Sequence, residues 1–431
     1  MARRRRSNSI FASKAAAGAM LALALSMGLA AEELSPAFVA EHGDMIVARV
    51  VCEGNKRTKD SAIAELTGMT PGMRVSAIDP EAARQSLLKS QIFSEAELSV
   101  DIEDGQAVVT VRVKDKWTFL PIPSGYFGSG GWSAGLDLVE FNFLGLRKTL
   151  VLGGSDSNLG WSGLVAYSDP RFFGTRLSFR SFADYGSANE AATYMDGSQY
   201  AAFVNTTADG GLSLVYPSEG KLQGELDATA RHSGVAAGDA DQFGLYQDSL
   251  ALQFAATATY DDRAVVGYRM LGTTASATYE HSIRIEGMPA FDLGSASAET
   301  DLPAFWGGSL ELGASGRLSS GAFQSLGYLS GPGFRTLPYG STYSPRDATA
   351  YADLALPLIR LGWSTMEFGP FYEAGVYATG LEAGTAEFFH GPGLLYRLYL
   401  RDIDLPAIEF AAAYNIPARM PVFSLNIGVT L

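Results

Sequence analysis

The stretch PVFSLNIGVTL, residues 421–431, decides the fold. Phe423, Leu425, Ile427, Val429 and Leu431 alternate without a break with Ser424, Asn426, Gly428 and Thr430. Side chains on a strand change faces at every residue, so this segment offers one face to hydrocarbon and the other to water. The same period recurs upstream. In residues 222–231, Leu222, Gly224, Leu226, Ala228 and Ala230 oppose Gln223, Glu225, Asp227, Thr229 and Arg231. In residues 249–260, Leu250, Leu252, Phe254, Ala256, Ala258 and Tyr260 oppose Ser249, Gln253, Thr257 and Thr259. From residue 121 onward about sixteen such segments occupy roughly 310 residues, divided by turns of Gly, Asp, Ser and Pro. That is the pitch of transmembrane strands of about nine to eleven residues.

Alternation alone also fits a soluble sandwich or propeller. Three features favour the membrane: the apolar strand running to the last residue, the aromatics near segment ends (Tyr167, Tyr216, Tyr260, Tyr279, Tyr414), and the N-terminus. Arg3, Arg4, Arg5 and Arg6 precede the apolar run AAAGAMLALALSMGLA at residues 15–30, which ends in small residues and is followed by Glu32 and Glu33. This is the pattern of a signal peptide cleaved after Ala30. Its removal takes away five cations and no acid, so the net charge goes from −14 to about −19. Nucleic acid is thereby disfavoured as a partner.

The composition agrees. Of 431 residues, 47% are hydrophobic, 18% charged and 11% aromatic, with 48 Gly, which excludes a disordered chain. Past residue 35 no run approaches the ~18 apolar residues of a membrane helix. Cys52 is the single cysteine, so it has no intrachain disulfide partner and reads as a small core residue. His42, His232, His281 and His390 lack metal-ligand spacing, and neither a metal nor another cofactor is expected.

Residues 45–116 read differently, as a βααββ module. The strand MIVARVV ends at Gly54-Asn55; Thr58 is a candidate N-cap for a helix through Leu66; Asp79-Pro80 opens a second helix that carries Ala83, Leu87 and Leu88 on one face. Leu98, Val100 and Ile102 then alternate, Asp104-Gly105 turns, and Val109, Val111 and Val113 return, so three strands under two helices are expected. The chain thus divides into a leader (1–30), a short linker (31–44), the α/β module (45–116) and an all-β transmembrane barrel (117–431).

Collinear phrases resemble a known family. EGNKRTKDSAI (53–63) and LLKSQIFSEAELSV (87–100) resemble a polypeptide-transport-associated (POTRA) domain. FNFLGLRKTLVLGG (141–154) and YSDPRFFGTRLSF (167–179) resemble the early barrel strands of the BamA/TamA family of outer-membrane assembly proteins. SGPGFRTLPYG (330–340), TAYADLALPL (349–358), FGPFYEAGVY (368–377), and GPGLLYRLYL with IEFAAAYNIP (391–400, 408–417) match its late barrel in order.

The resemblance implies a barrel in the outer membrane, with the module in the periplasm. It also implies a lumen loop whose tip carries an Arg followed by Gly and an aromatic. Arg335 holds the matching position, with Thr336 and Leu337 in place of the Gly and the aromatic. Strand parity independently turns Asp353, Glu373 and Glu409 inward, and a partly desolvated guanidinium needs such carboxylates.

Two strand edges are expected to act. One lies in the module near Val109, Val111 and Val113, where an extended client could add a strand. The other is a barrel seam between a first strand near residues 123–130, weakened by Gly125, Gly128 and Gly130, and the last strand with Phe423, Leu425, Ile427, Val429 and Leu431. The implied partners are unfolded outer-membrane or exported polypeptides, outer-membrane lipid, and accessory periplasmic or lipoprotein components.

Other readings are a two-partner-type secretion pore and a surface antigen or passive porin. A passive pore needs no docking module, and related secretion pores carry two modules and a plug helix. Gly131-Trp132-Ser133-Ala134-Gly135 fits the serine-hydrolase pattern, but the alternating strand that follows lacks the elbow and helix this chemistry needs, so no enzyme is expected.

Overall fold

The computed structural model describes residues 32–90, 92–193, 199–218, 220–236, 245–266, 268–320, 327–328, 334–338, 343–344, 346–379, 385–400 and 406–428. The expected leader, Val429 and Leu431 lie outside the described residues. The chain forms two compact units, one running to Trp117 and the other comprising Thr118–Phe143 and the chain from Arg147.

The first unit contains β1 (Glu32–Glu33), α1 (Pro36–Glu41), β2 (Val47–Glu53), α2 (Asp60–Thr67), α3 (Pro80–Lys89), β3 (Phe93–Glu103) and β4 (Gln106–Asp115). Its helices start and stop where local chemistry dictates. The Asp79 carboxylate accepts the Ala82 N–H at 2.9 Å with Pro80 in the first turn of α3, and α2 ends on Gly68 in the left-handed region at φ +66°. Thr58 does not cap α2: the helix begins at Asp60, and the Thr58 hydroxyl donates instead to Asp115 at 2.7 Å. A bond between distant segments has taken the side chain that the sequence assigns to a cap.

Of the segment expected to be a linker (31–44), residues 32–44 are described and are part of the unit. Ser35 accepts the Phe38 N–H at 3.3 Å to cap α1, and Leu34 and Phe38 join a core with Val47, Ile63, Leu87 and Phe93. The sheet therefore has four strands, in the order β1-β3-β4-β2, with β2 and β4 parallel and the remaining pairs antiparallel.

This order overturns one expectation. Val109, Val111 and Val113 lie on β4, which is paired on both sides, so they form no docking edge. The crossover through α2 and α3 carries the chain over the sheet face and lets β4 insert between β2 and β3. Along β4, Val109, Val111 and Val113 are buried while Arg112 and Lys114 stand exposed, so the sheet covers one face and leaves the other to solvent.

Among the described residues the second unit is a closed antiparallel barrel of sixteen main strands. They are β5 (Phe119–Gly128), β6 (Gly131–Phe143), β7 (Lys148–Ser157), β8 (Gly160–Asp169), β9 (Ser178–Thr193), β10 (Gln199–Tyr216), β11 (Leu222–Val235) and β12 (Asp248–Asp261). There follow β13 (Arg269–Glu286), β14 (Asp292–Pro303), β15 (Ser309–Ser320), β16 (Arg346–Arg360), β17 (Ser364–Thr379), β18 (Thr385–Leu400), β19 (Pro406–Asn415) and β20 (Met420–Ile427). A three-residue piece, Ala264–Val266, only extends the hairpin onto β13.

Strand parity sorts the side chains. On β11, Leu222 and Leu226 are 66% and 63% exposed on the outer face, while Glu225 and Asp227 are half-buried on the inner one. Tyr216, Tyr260, Tyr279 and Tyr414 also stand exposed, as a belt at a membrane interface requires.

Cys52 is partly buried on β2, and burial, with Asp60 nearby, pushes its thiol up to about 11. The thiol is thus the form that folding favours, and the reactive thiolate is scarce at neutral pH. Alkylation of the native protein by iodoacetamide at pH 8 is expected to run roughly tenfold slower than for a free thiol. Its rate should keep climbing with pH through 10, whereas a plateau near pH 9 would contradict the burial.

Candidate functional site

The inner wall between β14 and β19 gathers ionic side chains because strand pairing puts them side by side. In register, Glu311 on β15 faces Asp353 on β16, Asp353 faces Phe371 on β17, and Arg397 on β18 lies between Glu367 on β17 and Glu409 on β19. The period of two turns all of them to one face.

Arg335, on the long connection between β15 and β16, lies against this wall. Its guanidinium grips Asp353 with both ends, at 2.6 Å and 2.8 Å, and stacks over the Phe371 ring with its centre 4.1 Å from the centroid. Arg335 is 5% exposed and Asp353 0%, so the pair is desolvated, and bidentate geometry is what makes such burial tolerable.

Glu373 serves the backbone of the tip. It accepts the N–H of Arg335 at 3.1 Å and that of Thr336 at 2.8 Å, and the Thr336 hydroxyl donates to it as well. Asn415 donates its side-chain N–H to the Thr336 carbonyl at 3.0 Å. Leu337 packs with Tyr377 and Phe389. The two departures from the family pattern thus have local uses: Thr336 adds a donor to Glu373, and Leu337 fills an apolar socket.

Of the four residues expected in this lock, Arg335, Asp353 and Glu373 are in hydrogen-bond contact, and Glu409 joins through a residue the sequence reading missed. Arg397 donates to Glu409 at 2.7 Å, to Glu311 at 2.8 Å and to Asp353 at 2.9 Å, three carboxylates from three other strands. The Tyr351 hydroxyl lies 2.9 Å from a carboxylate oxygen of both Glu299 and Glu311, with one proton to share between them. On the same wall Arg269 and Tyr268 both contact the buried Glu367. A signal for Arg397 existed: it is a lone cation in the apolar strand LLYRLYL, on the parity opposite Leu394, Tyr396 and Leu398.

Among the described residues the seam between β5 and β20 closes the barrel through four residue pairs: Gly125 with Ile427, Tyr126 with Asn426, Phe127 with Leu425 and Gly128 with Ser424. Between β5 and β6 there are ten. Gly130 falls outside the seam, because β5 ends at Gly128 and the hairpin turn needs the positive φ of +101° that Gly130 supplies.

The shortness of the seam has an identifiable cause. The Ser129 N–H donates to the Phe423 carbonyl at 2.9 Å, and the Phe423 N–H donates to the Ser129 hydroxyl at 3.1 Å. Odd-numbered residues of both strands therefore direct their backbone groups across the seam. Pro123 and Pro121 continue that parity on β5 past the last pair, and neither has an N–H to give. On β20 the last pair is at Ile427; Gly428, which follows, has φ +89° and donates its N–H to the carbonyl of Ala407, one residue into β19, and the residues in register with Pro123 and Pro121 lie outside the described residues. A side chain at Gly428 would overlap the Pro123 carbonyl oxygen.

Gly131-Trp132-Ser133-Ala134-Gly135 opens β6 as extended backbone, with no elbow at Ser133.

No protein-family model and no curated protein matches the chain. Solved structures do. BamA from Haemophilus ducreyi lacking POTRA domains 1-3 is similar at a TM-score of 0.70 and 15% identity, over 89% of this chain and 85% of that one. CdiB from Acinetobacter baumannii is similar at 0.59 and 11%, over 90% and 74%, and CdiB from Escherichia coli at 0.59 and 12%, over 90% and 77%. At such identities the likeness establishes a shared fold.

Two outcomes follow from these contacts. Arg397→Leu takes a partner from three carboxylates and leaves Glu409 without its hydrogen-bonded cation, whereas Arg335→Ala takes a guanidinium from Asp353 alone, which Arg397 still holds. The first is expected to cost about 3–5 kcal/mol and the second clearly less, read as the loss of the heat-modifiable folded band at successively lower temperature. Equal effects would show that Arg397 is not the hub. At the seam, Pro121→Ala with Pro123→Ala restores two donors, each worth about 0.5–1.5 kcal/mol if paired. Slower amide exchange at Gly125 and Phe127 is the expected result; unchanged exchange would mean that the prolines do not limit the seam.

Proposed function

We propose that this chain is an outer-membrane barrel of the BamA/TamA family that assists the insertion of other outer-membrane polypeptides, with its first unit in the periplasm. The observation that carries this reading is the seam. Among the described residues every other junction between the main strands is a longer ladder, and this one runs into prolines on one side and a glycine of positive φ on the other.

A strand edge with free carbonyls and few donors is the part of the wall that a client strand can enter by hydrogen bonding to backbone, a mode that makes little demand on client sequence. No nucleotide is needed in this scheme, because the client gains backbone pairing and burial in lipid as it enters. The lumen loop, anchored through Arg335, keeps the wall from β15 to β19 rigid while the seam parts. Lipid bathes the outer face, and accessory periplasmic or lipoprotein components complete the machinery.

The first unit supplies the earlier docking step. Since β4 is internal, the edge belongs to β3, the outermost long strand on its side of the sheet.

The competing reading is a polypeptide secretion pore, which the same barrel architecture would serve. Depletion of the protein followed by quantitative proteomics of the outer membrane separates the two: a broad fall in barrel proteins is expected, and loss of a single exported protein would favour secretion. Tyr126→Cys with Asn426→Cys, in a Cys52→Ser background, joins a non-hydrogen-bonded pair across the seam. Oxidation should abolish activity and reduction restore it, and full activity in the locked state would refute opening at the seam.

A further inference from the structure

The β3 edge that this reading assigns to clients is already occupied, and the occupant is the chain itself. Glu32 and Glu33 pair antiparallel with Val100 and Ser99, and the Leu34 N–H donates to the Leu98 carbonyl at 3.0 Å. Leu34 turns into the core at 2% exposure, beside Leu98 and Val100.

The cover is short. β3 runs from Phe93 to Glu103, and among the described residues β1 is in register with two of its residues. Beyond the cover Ile102 stands 50% exposed, an apolar side chain at the uncovered end of the edge. Alongside lies a cavity of about 900 Å³ between α3 and β3, lined by Pro36, Pro80, Arg84, Leu98, Ser99 and Arg112. Thus the edge has the three parts of a strand-addition site: open backbone groups, a socket for one apolar side chain, and room beside it.

We infer that the segment Glu32–Leu34 is a removable cap, which competes with extended client polypeptides for the β3 edge. This rests on the docking role proposed above and adds its regulation. Two register pairs, one further backbone hydrogen bond and one buried leucine are a weaker hold than a ladder along the whole of β3 would be. A client strand that places an apolar residue in the Leu34 socket and continues along Ala96 and Ile102 makes the same contacts and more. The cap keeps a sticky edge from pairing with the wrong chain, and a longer ladder displaces it. A client that binds only the uncapped state has its apparent affinity reduced by the fraction uncapped, so weakening the cap should tighten binding.

The test uses the full chain in detergent, with Cys52→Ser. Glu33→Cys and Ser99→Cys place a disulfide across a non-hydrogen-bonded pair and lock the cap. The probe is a fluorescent peptide copying residues 420–427, a strand of the client type. Binding is expected when the disulfide is reduced and at least tenfold weaker when it is oxidised. Leu34→Asp, which cannot fill the socket, should bind several-fold more tightly than the parent. Equal binding to the locked and reduced forms would overturn the cap.

A peptide copying residues 31–42 serves as a second probe. If it binds Leu34→Asp while the client-type peptide binds neither that variant nor the reduced form, the edge accepts only its own tail. Both the cap and client docking at β3 then fall, and the seam-based reading, tested separately by depletion and crosslinking, stands or falls on its own.

Discussion

Inside hydrocarbon a backbone N–H or C=O has no water to turn to, and each one left unpaired costs several kcal/mol. That constraint shapes the second unit more than any side-chain contact. It demands that sixteen strands close on themselves, and so it gives meaning to the one place where closure is thin. Glycines lower the cost of loosening β5, but the prolines do something stronger. They remove the donors themselves, so no adjustment of that strand can lengthen its own share of the ladder.

The polar interior obeys a second constraint. Arg335 and Arg397 sit in places where an unpaired cation would be prohibitive; Arg335 is met by both oxygens of Asp353, and Arg397 by carboxylates drawn from three strands. A wall of packed apolar residues could be as stable as this network. What the ions provide is geometry: a planar guanidinium that must satisfy two acceptors at fixed angles admits one loop position, where an apolar patch would admit several. Rigidity on that arc of the barrel and weakness at the seam are therefore complementary parts of one design.

The first unit covers part of one sheet edge with its own chain. Its core takes in Leu34 and Phe38 from the segment read as a linker, because a domain of this size gains from every apolar side chain that it can cover. The same economy occupies the β3 edge with the chain's own residues.

Much of this was legible in the sequence, and the reasons are local. The period of two in residues 222–231, 249–260 and 421–427 requires no partner to be recognised, and it alone implies strands with one greasy and one wet face. The Asp79-Pro80 start of α3 and the inward parity of Asp353, Glu373 and Glu409 are likewise properties of a few adjacent residues. What remained hidden depends on which strand lies beside which. Arg397 becomes a hub only because β19 flanks it and β15 and β16 bring Glu311 and Asp353 within reach, β4 loses its edge only because the crossover places it between β2 and β3, and the prolines matter only once Ser129 shows which way the odd residues face. Alternation along the chain determines the faces of a strand, whereas hydrogen bonding across the chain decides its neighbours, and that second choice is made by the closure of the whole sheet.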